Sequence, residues 1–405
     1  MKARGWFVWV AASLFVLFQL AAQTGYGAIE IPLARDLQLG VLEASLVSSS
    51  FLIAYSLLQI PAGLLLDRWS ARRLLAVGSL GCALATFVFS TVDGAGSAVA
   101  ARAVMGAFAA LAFPGTGLLA RRWISPARLA LAFGLTEASF GVGALLGDWG
   151  FGRLLAHLDW RTITLWLGAV GVGISAVVAL VVRDRPPGQP DRSDRVSMGE
   201  ALRTLSRSRT IWLAMLYYGG AAGTIFGFGG LWDIRLQRVF GFSEPTALSL
   251  NNWLFLGLAL GAPVAGALAD RLRGRKWFLA AGALGAWLSV AAVIFLPMPM
   301  SYAAVAANLV SVGVLLGVSA MVFPVACDAV PARYAGTAIG MVNGAGCLLG
   351  GLLQVLPALM IDARDPHVLV ADQRALVIFL VVLGGSLLAA LGLPGRTAPS
   401  VAGSR

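Results

Sequence analysis

The few residues of this chain that could do chemistry stand inside long apolar runs. Glu137 lies nine residues into one such run, about 14 Å along a helix rising ~1.5 Å per residue. That places it near the middle of a segment as long as a bilayer is thick. A charge there costs about 2.5–3.5 kcal/mol on insertion scales, and a neutral carboxyl far less. Glu137 is therefore a candidate to take up and release a proton. The plainer alternative is a neutral acid that hydrogen-bonds a neighbouring helix. Arg102 and Asp148 each lie a short way below the outer ends of consecutive runs. A guanidinium keeps its charge, so the two form a candidate salt bridge. Alternatively, Arg102 grips a ligand carboxylate or phosphate with two parallel hydrogen bonds. Glu30 and Asp233, each followed by isoleucine, complete the set at the outer ends of the first and seventh runs.

Gln19, Gln23, Tyr26 and Glu30 are spaced 4, 3 and 4, which puts a polar stripe on one helix face. Other chemistries find little support. The three cysteines, Cys82, Cys327 and Cys347, fall in apolar runs, and the two histidines fall in loops. This is neither a disulfide framework nor a metal cluster. No nucleophile–base pair stands out in the short loops. No Gly-x-x-x-x-Gly-Lys-Ser/Thr loop is present to cradle a nucleotide. The chain reads as a non-enzyme without cofactor or metal.

The elements that carry these residues are apolar runs near 6–28, 44–66, 73–92, 97–119, 128–154, 161–182, 210–235, 248–268, 277–296, 300–325, 334–360 and 374–393. Each is about the 20 residues a spanning helix needs. Hydrophobic residues make up 59% of the chain and charged residues 12%, with a mean hydropathy of +0.83. Such a surface needs lipid, not water, around it. The first run follows Met1-Lys2-Ala3-Arg4 as a signal peptide does, but it is long enough to remain as a spanning helix. Between the sixth and seventh runs, residues 183–209 hold seven arginines and Pro186, Pro187 and Pro190. Within them Ser197-Met198-Gly199-Glu200 is a capping-box pattern, which predicts a short amphipathic helix at the membrane surface. With the N-terminus inside, 22 of the 30 Lys and Arg fall on the cytoplasmic side and 7 on the other. Both termini are therefore expected in the cytoplasm. The net charge of +11 is a topology signal facing anionic lipid, and no nucleic-acid partner is expected.

One motif occurs twice, 203 residues apart: Gly63-Leu-Leu-Leu-Asp67-Arg68 with Arg72-Arg73, and Gly266-Ala-Leu-Ala-Asp270-Arg271 with Arg275-Lys276. Pro126-Ala127-Arg128 recurs as Pro331-Ala332-Arg333, Glu137 is matched by Asn343, and Asp148 by Gln354. A repeat offset near half the length marks a duplicated membrane protein. The predicted layout is an N-terminal six-helix half over 1–182, a cytoplasmic loop over 183–209, and a C-terminal half over 210–405.

The doubled motif lies between runs 2 and 3 and again between runs 8 and 9. It resembles the loop motif of the major facilitator superfamily. Arg102-x-x-x-Gly106 resembles that family's helix-4 arginine motif, and Trp160-Arg161 its entry to helix 6. Many of the family's drug antiporters carry a Gly-Pro segment in helix 5. Here Gly143 and Gly147 are present, but Asp148 stands where the proline would be. The resemblance implies an all-α bundle of twelve transmembrane helices in two pseudo-symmetric halves. It implies that Asp67 and Asp270, with the bases around them, brace a cytoplasmic gate. The alternative is a plain basic turn, which would not require the aspartate at the same place twice. The resemblance also implies that helices 1, 4, 7 and 10 line a cavity. That makes Gln19, Gln23, Tyr26, Arg102, Tyr217, Tyr218 and Asn308 substrate candidates, with Asn343 added by symmetry. Phe226 and Trp232 in helix 7, among glycines that let it bend, and Asn251-Asn252 in helix 8 are further candidates.

The expected function is secondary active transport of a small organic solute, coupled to protons, by a monomer in a bacterial inner membrane. Efflux of a drug-like or siderophore-like molecule is the alternative within transport. A transporter-shaped sensor or assembly factor without flux is the alternative outside it.

Overall fold

The structure is a computed structural model that describes residues 2–187, 197–271, 275–296, 300–361 and 368–395. Among these the chain is helical, with no strand. The long helices are α1 Lys2–Asp36, α2 Val41–Arg68, α3 Ala71–Ser90, α4 Ala95–Trp123, α5 129–154 and α6 Trp160–Val181. After the linker come α7 Arg209–Val239, α8 Glu244–Ala269, α9 Arg275–Phe295, α10 Tyr302–Asp328, α11 Ala335–Met360 and α12 Val368–Gly392. Eleven of these are long and apolar enough to cross a membrane, and α5 makes the twelfth. Large apolar side chains such as Phe7, Leu180, Leu359 and Leu388 are exposed, as lipid-facing residues are.

Local chemistry sets where four of the helices begin. Ser70, Asp159, Ser208 and Ser301 each accept a hydrogen bond from the backbone N–H three residues on, and so start α3, α6, α7 and α10. At Asp159 the two hydrogen bonds from Thr162 hold the carboxyl below its ordinary pKa. Helices α5 and α11 differ. Arg128 and Tyr334 precede them, each ending a short 3-10 turn, and neither is a capping residue type. Their first amides must be satisfied from elsewhere.

Two helices depart from the apolar pattern. Helix α1 runs to Asp36, well past the end of its apolar run, and stops where Gln38 takes a left-handed φ of 53°. Hydropathy marks the part of a helix in lipid, not its overhang into water. Helix α7 is π-helical over Ile225–Trp232, overlapping the glycine-rich stretch expected to bend, Gly219 to Gly230. The linker helix forms over Met198–Ser206, where the capping-box pattern places it.

The described chain divides into two compact units. One holds residues up to Pro126, Val142–Leu202 and Arg333–Gly344; the other holds Ala127–Gly141, Arg203–Ala332 and the residues from Ala345 on. In the first, glycine lets helices touch: a Cβ on Gly106 of α4 would collide with the Phe51 carbonyl of α2. In the second, Gly313 of α10 meets the Leu254 carbonyl of α8 in the same way. Residues 51 and 254 are 203 apart, so the packing repeats with the sequence. Without a hydrophobic drive between helices in lipid, such close approach is what holds them together.

Candidate functional site

The doubled motif caps the two helices that begin after Arg128 and Tyr334. In the first unit, the Asp67 carboxylate accepts hydrogen bonds from the amides of Gly336 (2.7 Å) and Thr337 (2.8 Å), and from the Thr337 hydroxyl (2.6 Å). In the second, Asp270 accepts from the amides of Ala130 (3.1 Å) and Leu131 (3.0 Å). In both cases the donors are the second and third residues of the helix, α11 and α5. A carboxylate there satisfies orphan amides and meets the positive end of the helix dipole. Burial raises the Asp270 pKa, with the two amides and Arg275 opposing. The motif glycine, one turn earlier, makes the approach possible. A Cβ on Gly63 would lie 2.6 Å from the Gly336 oxygen, and one on Gly266 would lie 2.6 Å from that of Ala130.

The basic residues of the motif have separate tasks. Arg72 donates from Nε to the Ala179 carbonyl of α6 (2.7 Å), and Arg275 pairs with Asp328 at 3.4 Å. Lys276 lies over the Trp277 ring, while Arg68, Arg73 and Arg271 are exposed.

Glu137 is 4% exposed. Its carboxyl is bonded to the Tyr218 hydroxyl of α7 at 3.1 Å. Phe133, Glu137 and Phe140 share one face of α5, spaced 4 and 3. Phe133 stacks on Phe323 of α10, which also meets the Tyr218 ring edge-on at 4.7 Å. Phe140 packs on Phe226 and Phe255. The result is a carboxyl with one polar partner among the described residues, inside aromatic walls. Its repeat mate Asn343, in the first unit, donates to the Tyr55 hydroxyl at 3.2 Å.

Arg102 is 2% exposed and its guanidinium donates to backbone carbonyls: Ala22 (2.7 Å), Gln23 (3.5 Å) and Val47 (3.4 Å). The rings of Tyr26 and Phe51 each lie 4.9 Å from it. The side chain of Asp148 lies outside the described residues. On α1, Gln19 is buried, Gln23 and Glu30 are half-buried, and the Tyr26 hydroxyl donates to the Ala44 carbonyl. Two further candidates turn toward α9: the Tyr217 hydroxyl donates to Leu279 O and the Asn308 amide to Ser289 O. Asp233 is fully buried and receives Gln237 Nε2 at 2.9 Å. The Trp232 indole donates to carbonyls of α11.

Several working residues escape sequence reasoning. Asp184, in the linker, receives the Ser70 hydroxyl and the Arg72 amide, fixing the start of α3. Glu200 receives the Tyr334 hydroxyl (2.6 Å) and Arg333 (3.1 Å), although its sequence pattern assigns it to capping the linker helix. Asp36 is held by both Trp160 and Arg161, which explains why those two aromatic and basic residues stand together. A lone acid in an arginine-rich linker gives no sign of its partner. Unclaimed acids at helix ends were the available signal.

Comparison with known proteins agrees with the geometry. The chain is 28% identical over 363 residues to the probable nitrate/nitrite transporter NarK2 of Mycobacterium tuberculosis, covering 84% of each. It is 26% identical over 344 residues to the probable sulfoacetate transporter SauU of Cupriavidus necator, covering 78% of each. The fold matches the crystal structure of FucP in its outward conformation with a TM-score of 0.74 at 16% identity, over 94% of this chain and 96% of that one. The family model of the Major Facilitator Superfamily matches residues 11–354. The twice-used aspartate cap, the twelve helices and this match together place the chain in the Major Facilitator Superfamily, a family of membrane transporters and not of enzymes.

Proposed function

We propose that the chain is a secondary active transporter of a small organic solute, coupled to protons at Glu137. The observation that carries the reading is the Glu137–Tyr218 pair. Tyr218 donates to the carboxylate, and a protonated Glu137 can donate to the Tyr218 oxygen, so the pair stays satisfied in either state. No ion pair to Glu137 occurs among the described residues. A carboxyl held this way can exchange a proton without stranding a buried partner. Asp67 and Asp270 serve as cytoplasmic braces that alternating access must release.

A small anion is the first substrate class to test. The relatives just named are described as carriers of nitrate or nitrite and of sulfoacetate. A co-transported proton would cancel the charge of a monovalent anion crossing the membrane. Export of a drug-like or siderophore-like molecule is the second reading, favoured by the aromatic walls around an acidic group, which suit a lipophilic cation. A thermal-shift screen of purified protein against organic acids, amino acids, sugars, siderophores and lipophilic cations separates the two. Hits are then tested in proteoliposomes with an imposed pH gradient. Accumulation that collapses with the gradient supports the proposal; accumulation indifferent to it removes the proton.

A further inference from the structure

A second polar site lies in α7 and α8, away from Glu137. Positions 229, 233 and 237 of α7 are four apart and form one stripe. Helix α8 packs along it: Asn251 Nδ2 donates to the Gly229 carbonyl at 2.9 Å, and a Cβ on Gly229 would meet Leu254. Asp233 and Gln237 are 0% exposed and Asn251 is 3% exposed. Asp233 Oδ1 accepts from Gln237 Nε2. Three oxygens of this cluster are buried with no hydrogen-bond partner among the described residues: Asp233 Oδ2, Gln237 Oε1 and Asn251 Oδ1. Leaving one buried acceptor unmet costs about 1–3 kcal/mol. Two of them lie on side chains bonded to each other, one a carboxylate, and the third lies on the side chain that holds the Gly229 carbonyl one turn earlier; together they describe a site that lacks positive charge.

Among the described residues no ion pair supplies that charge. Arg235 is on the opposite side of α7, bound to Asp372 of α12 through two bonds of 2.9 and 3.0 Å. Arg238 pairs with Glu244 at 4.0 Å at the exposed end of the helix. The residues of α8 that meet the stripe at Gly229 are Asn251, Leu254 and Phe255, which do not titrate. The stripe also begins in the π-helical segment Ile225–Trp232, and irregular helix at membrane depth is where carbonyls become available to cations.

We infer that Asp233, Gln237 and Asn251 form a buried site for a monovalent cation, Na⁺ or a proton. Three oxygen donors with a single negative charge suit a hard monovalent ion. The site does not depend on the substrate or on proton exchange at Glu137.

The test is the melting temperature of purified full-length protein, without substrate, in NaCl against choline chloride and across a pH series. Binding to the folded state must raise it. A rise specific to Na⁺, lost in Asp233→Asn and kept in Glu137→Gln, supports Na⁺. A pH dependence independent of Na⁺, present in wild type and flat in Asp233→Asn, supports a proton. If Asp233→Asn does not fold, Asn251→Leu removes one oxygen and keeps the carboxylate. It should raise the half-saturating cation concentration by at least about tenfold. Equal responses to both salts, with pH profiles that neither variant alters, would assign the oxygens to buried water and overturn the site.

Discussion

Glu137 and Arg102 are both buried charges by composition, yet the structure treats them differently. Glu137 has one hydroxyl partner, which a proton can re-use, whereas Arg102 is fastened to three backbone carbonyls and two rings. Glu137→Gln copies the shape of the protonated acid. It should keep substrate binding and exchange but lose accumulation driven by a pH gradient. Accumulation at the wild-type level would reduce Glu137 to a hydrogen-bonding residue. Arg102→Ala should lower the amount of folded protein, because it leaves carbonyls unmet and Asp148 without its proposed partner. Combining it with Asp148→Ala should recover about 1–3 kcal/mol relative to the sum of the single changes, read from denaturation of the detergent-solubilised protein. Additive effects would dissolve the pair and return Arg102 to the substrate candidates. The expectation that Glu137 stands away from water came from a count of residues along an apolar run, and the side chain is buried. Tyr218 as its partner was not legible in the sequence, since neither the direction a tyrosine turns nor a backbone carbonyl leaves a mark in the pattern.

At the scale of elements, the aspartate of the repeated motif serves the start of a helix 140 residues earlier in one case and 270 residues later in the other. The motif was legible because it occurs twice. Its target could be inferred only from a lack: α5 and α11 begin after Arg128 and Tyr334, where a capping residue should stand. Asp67→Ala and Asp270→Ala remove both cap and charge, and each should cost about 0.5–2 kcal/mol of stability. Asp67→Asn and Asp270→Asn keep an acceptor and lose the charge, so they should fold nearly as well. All four should insert normally and transport more slowly in vesicles. Full transport by both asparagine variants would sink the gating role and leave a structural cap. Gly63→Val offers a control of a different kind, since its side chain would strike the Gly336 carbonyl and so disturb the same junction while Asp67 remains.

For the molecule as a whole, twelve spans and their duplication followed from apolar length and offset alone, because lipid forbids most alternatives. The glycine–carbonyl approaches that pack those spans did not, since a glycine in an apolar run reads the same whether it touches a neighbour or faces lipid. We propose an orientation with both termini in the cytoplasm, which rests on the excess of Lys and Arg on that side. All three native cysteines are buried. A membrane-impermeant maleimide should therefore leave the wild-type protein in intact cells unlabelled. Arg203→Cys, exposed on the linker helix, should label only in inside-out vesicles. Asp93→Cys, exposed between α3 and α4, should label in intact cells. The reverse pattern would place both termini outside, and would turn the Asp67 and Asp270 caps from cytoplasmic braces into outer ones.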